Sequence, residues 1–259
     1  MENYWQKLDQ NPYKDLLWNL PETKQGSINI LGGHAKSFNT EIKTAEFLAT
    51  NFPIKDVKNL LPKSLQNSLP PLDNFIFLPD TDSGSFTASD ELNSAINTAD
   101  FTIVLGDFSK NSITEKAVGS ACQSSETPLL ITRDAVDIIA ETSAEQILLH
   151  NHFIFASMPG LQKIFRSVYY PKVITLSQSL LQITDALHKF TLSYPTTIIT
   201  LHLGQIIVAN NGKVATIPLD QTPYSPLTIW QGQLAAPIAT LNLFNPKKPF
   251  EATICAIFG

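Results

Sequence analysis

The sequence Ser27-Ile28-Asn29-Ile30-Leu31-Gly32-Gly33 runs from an apolar segment directly into a pair of glycines. Its β-branched and apolar residues predict a strand, and the glycines allow a tight turn where that strand ends. A helix is predicted next, because Ile42, Ala45 and Leu48 lie on one helical face. A strand, a glycine turn and a helix in this order are typical of an α/β sheet.

The same alternation of strands and helices continues along the chain. Further strands are predicted at residues 75–78, 101–105, 128–132, 152–156 and 196–201. Helices are predicted at residues 91–98, with Asp90 as the cap, and at residues 115–123, 135–140, 176–190 and 252–258. The turn Asn210-Asn211-Gly212 predicts a hairpin. Because the strands are apolar throughout, we predict one α/β domain whose mostly parallel sheet is covered by helices on both faces.

The composition excludes several classes of protein. The 259 residues are 43% hydrophobic and 16% charged, which supports a sizeable core and excludes global disorder. A net charge of −5 without a block of lysine and arginine argues against a nucleic-acid partner. No apolar run approaches the ~18 residues needed to cross a bilayer, so a cytoplasmic protein without a membrane partner is expected. Cys122 and Cys255 lie far apart and indicate neither a zinc motif nor a disulfide framework.

A short N-terminal segment is predicted to precede the main domain. Apolar residues between Trp5 and Trp18 have short spacings, and Pro21 ends this pattern. We therefore assign residues 1–25 to an N-terminal adapter segment and residues 26–259 to the α/β domain.

A ligand site is expected beyond the carboxyl ends of the strands, as in other open parallel sheets. The segments that follow the strands are residues 32–36, which begin with Gly32-Gly33, then Pro79-Asp80, Gly106-Asp107, Arg133-Asp134, residues 157–160 and His202-Leu203-Gly204. Glycine lets a backbone approach a phosphate closely, but a glycine pair also suits a tight turn between strand and helix. Asp134 has two interpretations, since it can hold a magnesium–nucleotide or accept hydrogen bonds from backbone amides.

Several motifs, taken in order, resemble one superfamily. They are Leu20-Pro21 ahead of the strand that ends in Gly32-Gly33-His34, then Leu105-Gly106-Asp107-Phe108, residues 128–136, residues 156–161, Thr200-Leu201-His202 and Asn211-Gly212. Together they resemble the ribokinase-like superfamily and, within it, the ADP/ATP-dependent NAD(P)H-hydrate dehydratases. The likeness extends over residues 16–259.

This resemblance implies a ribokinase-like three-layer α/β/α fold, here short at its C-terminus, and a homo-oligomer. It also implies ADP or ATP with magnesium as the cofactor and an NAD(P)H-like ligand. In such enzymes a phosphoryl group passes to the substrate hydroxyl and then leaves as phosphate during the dehydration. The positions that would bind the cofactor are Gly32, Gly33, Gly106, Asp134, Pro159 and Gly160.

The chain departs from the family pattern mainly at polar positions. Met158 and Leu161 stand where the family has a histidine and a glutamate, and Leu201 stands where it has a lysine. The family's Gly-Thr-Gly-Asp, whose glycines hold the phosphoryl group and whose aspartate is the catalytic base, matches only Lys248-Pro249-Phe250-Glu251. Glu251 is therefore the candidate catalytic base, although a proline and a phenylalanine replace the two glycines.

The residues leave three functions open, and with them the question of whether the chain is an enzyme. The first is an NAD(P)H-hydrate dehydratase-like protein with a degenerate active site and weak or no activity. The second is a non-catalytic nucleotide-binding or oligomeric scaffold protein. The third is a small-molecule kinase acting on a sugar or a vitamin. No metal site is predicted, because His150 and His152 supply too few ligands.

Overall fold

A computed structural model describes residues 4–259 and contains ten strands and ten α-helices in that range. The strands are β1 (Trp5–Lys7), β2 (Gln25–Gly32), β3 (Ile54–Pro62), β4 (Phe75–Leu78), β5 (Phe101–Gly106), β6 (Leu129–Thr132), β7 (Phe153–Phe155), β8 (Thr197–His202), β9 (Gln205–Asn210) and β10 (Lys213–Pro218). The helices are α1 (Asn39–Asn51), α2 (Asp90–Ala95), α3 (Ser112–Gln123), α4 (Ala135–Thr142), α5 (Ala144–Leu148), α6 (Met158–Ser167), α7 (Leu180–Ser193), α8 (Pro226–Trp230), α9 (Ala235–Phe244) and α10 (Pro249–Phe258).

All the strands belong to one sheet, in the order β1-β10-β9-β8-β7-β6-β5-β2-β3-β4. Within the described chain only β9 runs antiparallel to its neighbours, so the predicted mostly parallel sheet is confirmed. The loops after β2, β5 and β6 lie at one edge, which we call the carboxyl edge. Because β9 reverses direction, the turn Asn211-Gly212 between β9 and β10 lies at the opposite edge, the amino edge.

The side chains of each strand alternate between two cores, one on either face of the sheet. On β5, for example, Ile103 and Leu105 belong to one core and Val104 to the other. Helices α2 to α7 cover the Val104 face, and α1, α8, α9 and α10 cover the Ile103 face. The result is the predicted three-layer α/β/α arrangement. In residues 4–259, every helix is too short or too polar to span a membrane.

Four helices begin at other residues than the sequence predicts, among them α3 at Ser112 rather than residue 115 and α10 at Pro249 rather than residue 252. Helix α2 has Ser89 rather than Asp90 as its cap, since the Ser89 hydroxyl accepts a hydrogen bond from the Leu92 N–H at 3.1 Å. Helix α7 begins at Leu180 rather than at residue 176, because a capping box formed by Ser179 and Gln182 sets its start.

Helix α9 has no counterpart in the sequence-based prediction. Its residues from Ala235 to Asn242 are all buried, so no polar face marks a helical period. Pro237 lies in the first turn, where the missing backbone N–H leaves no bond within the helix unmade. Because helix α9 is absent from the sequence-based prediction, the position predicted for Glu251 is affected as well.

The N-terminal segment contacts the domain at two places. Strand β1 is the outermost strand of the sheet and pairs with β10. The Trp5 Nε1 donates a hydrogen bond to the Thr216 Oγ1 at 3.1 Å. A 3-10 helix, Lys14–Asn19, buries Leu16 against the core on the α9 and α10 face. The boundary after residue 25 stays a prediction, and residues 1–3 lie outside the described part of the chain.

Candidate functional site

At the carboxyl edge, the loops that follow β2, β5 and β6 lie side by side, and we call them the glycine loops. Strands β2, β5 and β6 are neighbours in the sheet, and Gly32 lies opposite Gly106 in the register. The segments Gly32-Gly33, Gly106-Asp107-Phe108 and Arg133-Asp134 are therefore adjacent, as expected for loops that follow neighbouring parallel strands.

The Asp134 side chain ties two of these loops to each other. Its Oδ1 accepts a hydrogen bond from the Asp107 N–H at 2.7 Å, and its Oδ2 accepts one from the Phe108 N–H at 3.1 Å. Of the two interpretations open at the sequence level, the structure therefore shows the one in which the carboxylate holds backbone amides. Burial raises the pKa of Asp134, although the two N–H donors act in the opposite direction.

Gly106 and Gly32 leave room for other atoms of the protein. A Cβ on Gly106 would lie 2.1 Å from the Asp134 Oδ1, and the Gly106 φ of +107° is one that other residues rarely adopt. A Cβ on Gly32 would lie 2.6 Å from the Glu41 Oε1 and 2.6 Å from the Gly106 carbonyl oxygen. Both glycines therefore serve the close packing of the loops on one another.

The backbone N–H groups of the glycine loops are hydrogen-bonded inside the protein. Besides those of Asp107 and Phe108, the N–H groups of Gly33, His34 and Ala35 each donate to a backbone carbonyl oxygen, at 2.8, 2.7 and 2.8 Å. A phosphate cradle needs several unengaged N–H groups that point at the anion. These five N–H groups of the loops after β2 and β5 already have partners and are not available to a phosphate.

The Arg133 guanidinium forms a two-pronged ion pair with the Asp107 carboxylate. The two nitrogen–oxygen distances are 2.7 and 3.0 Å, and the side chains are only 21% and 18% exposed. Such paired hydrogen bonds hold both groups in a fixed orientation. The positive charge of Arg133 is thus neutralised within the protein and faces a carboxylate of the adjacent loop.

Glu41 also belongs to this edge, and the sequence analysis did not identify it. It lies in the first turn of α1, is fully buried, and has no hydrogen-bond partner for either carboxyl oxygen among the described residues. Burial raises the pKa of Glu41 to about 8, and the nearby Asp107 acts in the same direction. A signal was present in the sequence, because Glu41 falls on the same helical face as Ala45 and Leu48.

Pro159 and Gly160 form the beginning of α6. Ser157 caps this helix, since its hydroxyl accepts a hydrogen bond from the Gly160 N–H at 3.2 Å. A Cβ on Gly160 would lie 3.2 Å from the Val136 side chain of α4. The observed contacts of these two positions are therefore a helix cap and the packing of α6 on α4.

Glu251 lies at the amino edge, away from the glycine loops. It is in the first turn of α10, and its Oε1 accepts a hydrogen bond from the Lys213 Nζ at 3.1 Å. Lys213 begins β10 opposite Asn210, the last residue of β9. The expectation that Lys248-Pro249-Phe250-Glu251 completes a site with the glycine loops is thus corrected, because the length of the strands separates the two.

Of the last two helices, α9 begins at the carboxyl edge and α10 at the amino edge. Gly232 precedes α9 with a φ of +85°, and a Cβ on Gly232 would lie 2.7 Å from the Leu105 side chain of β5. The start of α9, rather than that of α10, therefore borders the glycine loops, and Gln233 at this start carries a carboxamide. A carboxamide does not accept a proton from a hydroxyl as a carboxylate does.

A cleft of about 460 Å³ lies between α1 and the start of α9. We call it the α1–α9 cleft, and it is lined by Asn39, Thr40, Lys43, Thr44, Phe47, Gln231 and Gln233. Lys43 is the charged member of this set, and the others offer hydroxyl groups, amides and one aromatic ring. A cleft with a few polar groups around an apolar side chain can hold a small polar molecule.

The His150 and His152 pair has a structural place. The His152 Nδ1 accepts a hydrogen bond from the Leu129 N–H at 3.2 Å, and burial lowers the pKa of His152 to about 4. In residues 4–259 no three metal-ligating side chains of His, Cys, Asp or Glu form a cluster.

The chain is similar to solved structures of ribokinase-like proteins. Over the whole chain and 86% of the other, it matches a ribokinase-like superfamily protein from Enterococcus faecalis with a TM-score of 0.66 and 11% identity. It matches the ADP/ATP-dependent NAD(P)H-hydrate dehydratase from Bacillus subtilis, crystallised with ATP and Mg²⁺, with a TM-score of 0.61 and 11% identity over 95% of this chain and 84% of the other.

A third solved structure is the pyridoxal kinase from Staphylococcus aureus in complex with AMP-PCP and pyridoxal. The TM-score is 0.50 and the identity 13%, over 89% of this chain and 84% of the kinase. No protein-family model matches the sequence, and no curated protein matches it either. At these identities the likeness shows the fold, which is ribokinase-like as the sequence motifs predict.

Proposed function

We propose that this ribokinase-like protein is non-catalytic and acts as a small-ligand-binding or assembly protein. The observation that carries the proposal is the internal use of the backbone N–H groups of the glycine loops. Catalysis of phosphoryl transfer depends on positioning the phosphates and stabilising their charge. Loops whose donors are bonded to Asp134 and to carbonyl oxygens have no such groups to offer.

The charges at the carboxyl edge support the same proposal. Glu41, Asp107 and Asp134 lie around the glycine loops, and Arg133 is the cation that faces them. Within these loops, even with Glu41 protonated, the two aspartates outnumber the single arginine, while Lys43 lies in the adjoining α1–α9 cleft and Lys110 lies beside Asp134. Phosphate groups would meet negative charge where an enzyme of this fold needs positive charge.

The α1–α9 cleft gives the binding interpretation a place in the fold. It lies beside Gln233, so the start of α9 contributes a neutral amide to the lining. We propose that a small polar ligand binds there without being phosphorylated or dehydrated. A nucleotide, with or without magnesium, and an NAD(P)H-like molecule are the ligands that the fold suggests.

Assembly into a homo-oligomer stays part of the proposal. Of the three tryptophans, Trp5 and Trp230 are partly buried and pack against the two cores, and Trp230 lies 5.6 Å from Phe155 between ring centroids. The Trp18 side chain is 85% exposed, which makes it a candidate interface residue. A cytoplasmic location also stays a prediction.

An activity assay tests the proposal. The protein is incubated with hydrated NADH, Mg²⁺ and either ADP or ATP, and the return of NADH is followed by absorbance. We expect the same rate with and without the protein, since the N–H donors of the glycine loops are bonded within the protein.

A nucleotide-dependent rate would overturn the proposal, and two variants would then locate the base. Loss of that rate in Gln233→Ala would place catalysis at the carboxyl edge. Loss of the rate in Glu251→Gln, with Gln233→Ala still active, would restore the assignment of Glu251 as the catalytic residue.

A further inference from the structure

Helix α7 carries exposed apolar side chains on its outer side. Its inner side, which includes Ile183 and Phe190, is buried in the core on the Val104 face of the sheet. On the outer side, Leu181 and Leu192 are 59% and 64% exposed. Because about three turns of helix separate them, both side chains lie on one line along the helix.

Two opposite charges lie between these apolar side chains. Asp185 and Lys189 are neighbours on the outer side of the helix, and their side chains form an ion pair at 2.8 Å. Asp185 also pairs with Lys172, which precedes the helix. From the start of the helix to its end, the outer side therefore has the order apolar, acidic, basic, apolar.

The exposed apolar surface extends to the segment that leads into α7. Val173 and Leu176 in this segment are also exposed. The Gln178 Nε2 donates a hydrogen bond to the Val173 carbonyl oxygen at 3.0 Å, which holds the segment in a turn ahead of the helix. Isolated apolar side chains are ordinary on a monomer, whereas several along one element mark an interaction surface. We call this surface the α7 face, formed by Val173, Leu176, Leu181, Asp185, Lys189 and Leu192.

The order of residues along the α7 face is complementary to itself. The midpoint between Leu181 and Leu192 lies between residues 186 and 187, and the midpoint between Asp185 and Lys189 lies at residue 187. A two-fold axis at this level sets Leu181 of one copy against Leu192 of the other, and Asp185 against Lys189. Each apolar contact and each ion pair then forms twice, as in other isologous interfaces.

We propose that the α7 face is the contact between two copies of this chain, with their α7 helices packed antiparallel. A second copy supplies the complementary order of charges without any further requirement. In the dimer, Asp185 keeps its pair with Lys172 and gains the Lys189 of the second copy. The helix is about 21 Å long, and Val173 and Leu176 add apolar area toward the ~800 Å² per partner that a stable interface buries.

This inference rests on the assembly proposed above and assigns a surface to it. Sedimentation equilibrium of the full chain measures the association. We expect a dimer in the unmodified protein and an association at least about tenfold weaker in Leu181→Arg, because the arginine would bring a charge against Leu192 of the second copy. Leu227→Arg is the matched control. Leu227 is exposed on α8, on the other face of the sheet, and we expect this variant to dimerise as the unmodified protein does.

Charge reversal tests the pairing of Asp185 with Lys189. Asp185→Lys would set two positive charges against each other at both contacts, and Lys189→Asp would set two negative charges there. We therefore expect each variant alone to be monomeric at a concentration where the unmodified protein is a dimer. An equimolar mixture of the two variants brings opposite charges together at both contacts, so we expect it to form a heterodimer. Circular dichroism of each variant checks that it is folded.

The possible failures have different meanings. A monomeric unmodified protein would overturn both this interface and the homo-oligomer proposed above. An undiminished dimer in Leu181→Arg or in either charge variant would overturn the α7 interface and leave the assembly to another surface. The same holds if the mixture of folded charge variants stays monomeric, or if Leu227→Arg weakens the dimer as much as Leu181→Arg does.

Discussion

Gly106→Ala is expected to lower the free energy of unfolding by about 3 kcal/mol or more. The new Cβ would lie 2.1 Å from the Asp134 Oδ1, in a backbone conformation with φ of +107° that strains any side chain. Moving the Asp134 carboxylate aside would break its hydrogen bonds to the Asp107 and Phe108 N–H groups. Urea unfolding measures the loss.

Gly204→Ala is the matched control for this variant. Gly204 also has a positive φ, +70°, but a Cβ there would meet nothing within 4 Å. The control therefore carries only the cost of the backbone conformation, about 1 kcal/mol. If the two variants lost the same free energy, the contact between Gly106 and Asp134 would not hold the loops together as described.

Glu41→Gln is expected to make the protein's stability less dependent on pH. Burial raises the pKa of Glu41 from its ordinary value of 4.5 to about 8. The folded protein therefore keeps a proton that the unfolded chain releases as the pH rises above the lower value. The protonated Glu41 contributes fully to stability below pH 4.5. This contribution is lost between pH 4.5 and pH 8, at about 1.4 kcal/mol per pH unit.

Urea unfolding over this pH range measures the effect. Glutamine has the same shape but no carboxyl proton to lose. We therefore expect the free energy of unfolding of the variant to rise steadily relative to that of the unmodified protein as the pH increases toward 8. Glu46→Gln, an exposed position on the same helix, is the control and should follow the unmodified protein. Parallel curves for Glu41→Gln and the unmodified protein would show that Glu41 is not held protonated by burial.

The strands were predictable because their apolar residues are continuous and end at glycines or other turn residues. The segment from Ile28 to Gly33 predicts both a strand and its turn, and the parallel sheet then requires the loops to share one edge. Helix α9 was not predictable in this way, because it is buried all round and has no polar face.

The missing helix also explains why the candidate base was misplaced. With α9 unrecognised, the helix containing Glu251 is taken for one that begins at the carboxyl edge, whereas it begins at the amino edge. The positions of Gly32, Gly106 and Asp134 at one edge follow from the topology. Their contacts with one another depend on distances of a few ångströms between loops, which sequence spacing does not determine.

Glu41 shows the other limit of the sequence. Its spacing with Ala45 and Leu48 places it on the buried face of α1, but an acidic residue near a helix N-terminus is ordinarily explained by the dipole. Only the packing of α1 on the glycine loops shows that both carboxyl oxygens are buried without partners.

The central claim is that the backbone donors of the glycine loops are occupied by the protein itself. The most direct test is a titration of isotope-labelled protein with Mg-ADP and Mg-ATP, in which the amide resonances of Gly33, His34, Asp107 and Phe108 are followed by NMR. We expect the chemical shifts of these four amides to stay unchanged at millimolar nucleotide, even if the resonances of residues in the α1–α9 cleft shift. Saturable shifts of the four amides would show phosphate binding at the loops and contradict the account.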